Sequence, residues 1–301
     1  MSEDRNSGLC GILPVMKPAD WTSFDVVAKL RGILHTKRIG HGGTLDPMAT
    51  GVLPVFVGKA AKCCDILPDK RKSYTAGFRL GESTDTLDIT GNILSRSDKA
   101  VTLAEILELL PRFTGDIMQL PPMYSAVKVD GKKLYELARE GKTIERKPRP
   151  AHIDLIEIAE YDETTREGVM KLDCGQGTYV RTVIDDIGAA LGCGGVMTSL
   201  TRTRSGGFTL AECFTLERIA AAAEQGRAGE ILLPPDRAFA HYPDVRLGER
   251  ETVLYRSGVR LRPDQVTLTE ELEQYRVYGA DGGFIGLGGM KNGGFAVIKN
   301  F

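Results

Sequence analysis

The chain has 301 residues, 42% of them hydrophobic and 26% charged, with a formal net charge of −1 at pH 7. These proportions suit an ordinary globular protein of about two domains, and the near-neutral charge does not announce a nucleic-acid binder. No run of about 18 apolar residues predicts a membrane span, and the polar stretch Met1 to Gly8 lacks the apolar core of a signal peptide.

Thr22-Ser23 can cap a helix from about Phe24 to Gly32, with Val26, Val27 and Leu30 on one face. Residues 52–57 (VLPVFV) are apolar and β-branched and read as a buried segment. Tyr74, Ala76, Phe78 and Leu80 alternate with less apolar residues, the period of a half-buried strand. Thr102-x-x-Glu105 is a capping box opening a helix to about Leu110. Leu134, Leu137 and Ala138, followed by Gly141, predict a short helix and its stop. Ile153 to Ile158 alternates as a strand. Val180, Val183, Ile184, Ile187 and Leu191 keep helical spacing up to Gly192, and an Ala-rich helix spans roughly 215–224. Strands and helices mix without a regular βαβα alternation, which predicts an α+β fold. Pro234-Pro235 starts a connecting stretch. Beyond about residue 241, short strand-like runs and glycine turns predict a small β-rich second domain.

Several chemistries fail on spacing. The six cysteines, at 10, 63, 64, 174, 193 and 213, include no Cys-x-x-Cys pair, and zinc-ligand spacing is absent. They read as packing or surface residues. Gly58-Lys59 is followed by Ala60 and does not make a phosphate loop. Asp85-x-x-Asp88-x-x-Gly91 lacks the alternation and terminal Glu of a calcium loop and reads as a turn. Charge is unevenly spread. Residues 126–150 hold eight Lys/Arg against four Asp/Glu, whereas residues 151–175 hold seven acids against two bases. A local basic patch on a near-neutral chain can track phosphates or simply be solvated.

The densest signal is Gly42-Gly43-Thr44-Leu45-Asp46-Pro47. Glycines allow close backbone approaches, and Pro47 biases Asp46 towards extended geometry. Such a loop can hold one carboxylate against a ligand, or it can be a plain tight turn.

Residues 41–58, HGGTLDPMATGVLPVFVG, resemble the catalytic motif of the TruB-type tRNA pseudouridine synthases. Matching segments follow in family order: Lys17-Pro18 with Thr22-Ser23, Lys72-Ser73-Tyr74, Pro121 to Lys128, Gly177 to Thr182, and Leu200-Thr201-Arg202. The resemblance covers roughly residues 11–240. It implies a mainly antiparallel mixed-sheet catalytic domain over 1–240, with an RNA-gripping insertion at about 126–150. Residues 241–301 would form a PUA-like RNA-binding domain.

The implied reaction turns the T-loop uridine of tRNA into pseudouridine, with no cofactor and no metal. Asp46 would be the catalytic carboxylate and Arg181 its partner. Tyr74 would serve both chemistry and stacking, with Tyr179 and Leu200 as further pocket walls. His41 would act where the nucleotide flips, and Lys17 would pack on the active loop or contact phosphate. Lys128, Lys132, Lys133, Arg146, Lys147 and Arg149 would grip the RNA backbone. The resemblance implies a cytoplasmic monomer that binds the tRNA T-arm and needs no protein partner or membrane. Two rival readings are a guide-dependent synthase of ribosomal RNA and an RNA-binding or RNA-folding protein whose Asp46 is silent.

Overall fold

The computed structural model describes residues 8–129, 131–268 and 272–301. Residues 1–7, read above as lacking a leader, lie outside them. The order begins with β1 (Gly11–Lys17), α1 (Ser23–Ile33), β2 (Ile39–His41), β3 (Thr50–Val57), β4 (Lys72–Leu80), β5 (Glu82–Thr84) and β6 (Ile93–Arg96). Next come α2 (Leu103–Leu109), β7 (Gly115–Gln119), β8 (Lys128–Val129), β9 (Lys132–Lys133), α3 (Leu134–Arg139), β10 (Arg149–Asp162), β11 (Glu167–Cys174) and α4 (Val180–Leu191). The chain continues with β12 (Gly195–Ser205), β13 (Phe208–Thr209), α5 (Leu216–Glu224), β14 (Asp244–Arg246), α6 (Glu249–Arg256), β15 (Tyr275–Tyr278), β16 (Phe284–Lys291) and β17 (Gly294–Asn300).

The large sheet has the order β1-β3-β12-β4-β11-β10-β7, with β2 on β3 and β13 on β12. It is α+β and mainly antiparallel; β3 and β12 pair in parallel through Thr201↔Thr50 and Arg202↔Gly51. β3 is buried on both faces: Leu53, Val55 and Val57 join one apolar cluster, while Val52 and Phe56 join another. That explains its unbroken apolar text. Tyr74, Ala76, Phe78 and Leu80 of β4 lie in a third cluster with Val180, Val183, Ile184 and Ile187 of α4.

Two strands of the large sheet go beyond the sequence expectation. Residues 11–17 form a strand despite Pro14. Pro14 stands opposite Pro54, and their carbonyls accept outward bonds from Phe214 (2.9 Å) and Gly42 (2.8 Å). Both missing N–H groups therefore fall outside the β1–β3 ladder. The central strand β12 shows in the sequence only as the short match Leu200-Thr201-Arg202; its alternation is broken by register shifts and by a buried Arg202.

The remaining helices follow their caps. Thr22 and Asp25 close a reciprocal capping box on α1, as Thr102 and Glu105 do on α2. α4 ends at Gly192 with φ +74°. Among the described residues no helix is long and apolar enough to cross a membrane.

The C-terminal sheet, ordered β14-β15-β16-β17, packs its own cluster around Tyr255, Tyr275 and Phe295. It carries α6, where the text reads as strands and turns only. Phe284, Leu287 and Phe301 reach into the cluster built on Phe56, Phe208 and Phe239, so this sheet docks on the first unit.

Gly51 sits where β3 meets β12. Its φ is +106°, and a Cβ there would overlap the Arg202 carbonyl and lie 2.8 Å from the Arg202 nitrogen. Gly51→Ala is therefore expected to destabilise the fold by roughly 2–5 kcal/mol, combining backbone strain with overpacking. Urea unfolding that showed a loss below about 1 kcal/mol would refute this account of the junction.

Candidate active site

The loop joining β2 to β3 is partly buried, so its backbone polar groups need partners other than water. Two buried cations supply them. Lys17, fully buried at the end of β1, donates from Nζ to the carbonyls of Pro18 (2.8 Å), Pro47 (2.9 Å) and Ala49 (2.6 Å). Arg202, equally buried on β12, donates from Nε to Val52 O (2.8 Å), from Nη1 to Thr44 O (3.3 Å) and from Nη2 to Gly43 O (3.0 Å). Ser23 Oγ accepts from Leu45 N at 2.9 Å. The loop is thus pinned on both sides of Asp46. Of the two roles weighed for Lys17, packing on the active loop is the one its placement matches, because all three ammonium donors are engaged.

Arg181 opens α4 with its side chain only 5% exposed, so it is not a surface residue at a helix start. Its fork grips Asp46: Nε lies 2.9 Å from Oδ2 and Nη2 lies 3.2 Å from Oδ1. Nη2 also donates to Tyr124 O (3.0 Å) and Nη1 to Thr86 O (3.0 Å), with Asp88 Oδ2 at 3.8 Å. The Asp46 side chain stays 34% exposed. One edge of the carboxylate is therefore fixed by the guanidinium while the other faces open space. Burial raises the Asp46 carboxyl above its ordinary value; the Arg181 charge opposes this, and Asp88 adds to it.

The sequence marks Asp88 only as part of a turn. It is a turn, but a docked one. Asp88 Oδ1 accepts from Thr86 Oγ1 (2.8 Å) and Thr90 N (3.0 Å), and Ile89 and Met197 tie the segment to β12. Gln119 was also missed. Its buried amide donates to Tyr179 O (3.1 Å) and accepts from Tyr179 N (2.9 Å), which sets Tyr179 at the start of α4. No local pattern marks a Gln that pairs with a backbone 60 residues away. Arg202 stood in the sequence within the matched Leu-Thr-Arg but was assigned no role.

Tyr74 and Leu200 share one apolar cluster with Leu45 and Ala49 of the loop. Tyr74 is the cross-strand partner of Arg202, and burial pushes its phenol up to about 12. Burial and the nearby Arg202 charge push the His41 imidazole below its ordinary value. Its Nδ1 accepts from Gly43 N at 3.3 Å, so the neutral ring carries its proton on Nε2.

The basic segment forms a separate excursion between β7 and β10, packed on Met123, Leu134 and Leu137. Lys128, Lys132, Lys147 and Arg149 are exposed. Lys133 Nζ bonds to Tyr135 Oη (3.2 Å) and Arg146 Nη1 to Pro121 O (3.0 Å), so these two also hold the excursion together. Arg149 starts β10 and lies in the sheet, outside the excursion's hairpin.

A family model for the TruB family pseudouridylate synthase N-terminal domain matches residues 31–180, and one for the tRNA pseudouridylate synthase B C-terminal domain matches residues 181–240. The chain belongs to the TruB family. It is similar to tRNA pseudouridine synthase B of Dehalococcoides mccartyi, with 42% identity over 91% of this chain and 90% of that one. It is also similar to tRNA pseudouridine synthase B of Clostridium acetobutylicum, with 39% identity over 96% and 98% respectively. Among solved structures, a chain of a Cbf5-Nop10-Gar1 complex superposes with TM-score 0.73 and 26% identity, over 100% of this chain and 87% of that one. A chain of an H/ACA RNP bound to a substrate RNA containing 2'-deoxyuridine gives TM-score 0.72 at 24% identity, over 97% and 84%, a likeness of fold alone. Within this TruB-family chain, Asp46, Arg181, Tyr74, Leu200 and Lys17 converge on one site, with His41 at its edge.

Burial lowers Lys17 from 10.5 to about 8, against the opposing pull of Asp46 and Asp20. Between about 8 and 10.5 the unfolded chain holds the proton that the folded chain has released, so stability gains from this group as pH rises. Wild type minus Lys17→Met in unfolding free energy should grow by up to about 3 kcal/mol across that window. A flat difference would mean that Lys17 is not a buried cation.

Proposed function

We propose that this chain converts the T-loop uridine of tRNA to pseudouridine, with Asp46 as the reacting carboxylate. The observation that carries this is the Asp46–Arg181 fork held in a clamped loop, in a TruB-family chain whose 39–42% identical relatives bear the name tRNA pseudouridine synthase B. The reaction breaks the C1′–N1 bond, turns the uracil, joins C5 to C1′, and moves one proton from C5 to N1. It is an isomerisation with no net redox change, and it needs a nucleophile or base and a pocket that retains the free base.

Both Asp46 oxygens are bonded to Arg181, but with the side chain 34% exposed one carboxylate oxygen keeps a free lone pair on the open side. That oxygen serves attack at C1′, attack at C6 and removal of a ribose proton equally. Arg181 orients it and favours its ionised form. Tyr74 stacks on the flipped uracil, with Leu200 and Tyr179 as further walls. Burial pushes the phenol up to about 12, so at neutral pH Tyr74 keeps its proton and is suited to donating a hydrogen bond or orienting water. His41 occupies the loop edge where the nucleotide leaves its stack.

The stand-alone reading is favoured over the guided one. Relatives named tRNA pseudouridine synthase B reach 43% identity, against 24–26% for the chains of the H/ACA RNP and the Cbf5-Nop10-Gar1 complex. The excursion at about 126–150 also gives the chain its own basic surface. In this reading the protein acts as a monomer in the cytoplasm without a partner. The division falls near residue 240, and residues 241–301 serve as a PUA-like RNA contact.

Tritium release from C5-labelled transcribed tRNA tests the proposal. Asp46→Asn should bind tRNA as wild type does yet lose at least about three orders of magnitude in turnover. The wild-type rate should fall on the acid side with a midpoint above 3.8, since only ionised Asp46 reacts. Turnover by Asp46→Asn within about tenfold of wild type would remove the carboxylate from the mechanism.

Binding should draw on the excursion. Changing Lys128, Lys132, Lys147 and Arg149 together to Gln should weaken tRNA binding, and each lost phosphate contact should reduce the log–log salt slope by up to about 0.9. An unchanged slope would make this a merely solvated face.

A further inference from the structure

Lys72 stands outside the hydrogen bonds that pin the Asp46 loop. It lies on β4 two residues before Tyr74, so both side chains leave the same face of the strand. A Cβ built on Gly43 would stand 3.6 Å from Lys72 Nζ and 3.7 Å from Arg202 Nη1. Two cations therefore converge on the bare face of one glycine in the active loop. Gly43 has φ +135°, and no side chain at that position screens them.

Among the described residues no carboxylate balances this charge. Among the described residues no ion pair joins Lys72 or Arg202 to a carboxylate, and Asp46 and Asp88 are both turned to Arg181. The ionisable neighbours that could become anions stay protonated. Burial pushes Cys174, opposite Lys72 in the ladder, up to about 11, and Tyr74 and Cys213, beside Arg202, up to about 12. Lys17 differs, because Asp46 and Asp20 face it. Arg202 at least spends donors on the loop carbonyls of Gly43 and Thr44 and on Val52 O of β3. Lys72 is half-buried, its ammonium is held below its ordinary value by burial and by Arg202, and no hydrogen bond from Nζ is formed among the described residues. A cation kept in such surroundings is costly unless an anion arrives.

We infer that Lys72, backed by Arg202, forms a subsite for a phosphodiester flanking the nucleotide whose uracil enters the Tyr74–Asp46 pocket. The inference rests on the proposed RNA substrate. A flipped base swings on its own backbone, so one flanking phosphate must come close to the pocket mouth. A lysine ammonium suits it as a compact point charge. Clamping that phosphate would set the pivot about which the nucleotide turns.

A scan of single methylphosphonates through a T-arm stem–loop, each removing one phosphate charge, tests this. Wild-type affinity should drop about tenfold at one of the two phosphates flanking the target uridine, the scale of one charge-assisted bond. Lys72→Met should bind unmodified RNA about tenfold more weakly, with a salt slope lower by about 0.7, and should be nearly indifferent to that same methylphosphonate. Lys72→Arg should keep both the affinity and the sensitivity, which a purely packing role would not require. The subsite is overturned if wild type tolerates both flanking methylphosphonates, or if Lys72→Met loses as much as wild type at the sensitive phosphate. Should Lys72→Met lack a cooperative melt, Lys72→Gln takes its place, and the wild-type scan decides by itself whether a flanking phosphate is read. Failure of wild type to isomerise the unmodified stem–loop would remove the parent reading instead, whereas normal turnover with insensitive flanking phosphates removes only the role of Lys72.

Discussion

The rest of the site depends on the ion pair between Asp46 and Arg181. Each charge alone would cost several kcal/mol to bury. Together they form a two-point contact, and the guanidinium's remaining donors go to Tyr124 O, Thr86 O and the region of Asp88. The arginine is thereby satisfied from three segments of chain. It acts as a fixed bracket, and the carboxylate it holds has one orientation and one open edge.

That bracket also links distant parts of the molecule. Tyr124 lies at the root of the basic excursion, Thr86 and Asp88 belong to the turn docked on β12, and Arg181 itself starts α4. RNA gripped by the excursion would pull on a segment bonded directly to Arg181. The excursion has its own small cluster of Met123, Leu134 and Leu137, so it can keep its shape while meeting RNA.

The loop carrying Asp46 is solvated by protein. Lys17 and Arg202 take the place water would have at the carbonyls of residues 43, 44, 47 and 49. This gives rigidity without a regular element, and it concentrates positive charge behind the loop. Only part of that charge is answered by Asp46, which leaves the Lys72–Arg202 side in surplus beside Tyr74.

The sequence by itself determined the local elements and the family. Capping boxes at Thr22 and Thr102, the alternation from Tyr74 to Leu80 and the stripe ending at Gly192 are short-range signals, and each element formed where its own residues placed it. The glycine–aspartate–proline loop was legible as a site for the same reason. Tertiary structure alone decided which residues meet. A strand through Pro14 became possible only opposite Pro54, where neither missing N–H breaks the ladder. Arg202, Asp88 and Gln119 gained their roles from partners 60 to 159 residues away in the chain, between groups whose types carry no spacing rule. Ladder register and side-chain hydrogen bonds across a sheet are set by packing of the whole chain, so the carboxylate could be read from its loop, but the bracket that holds it could not.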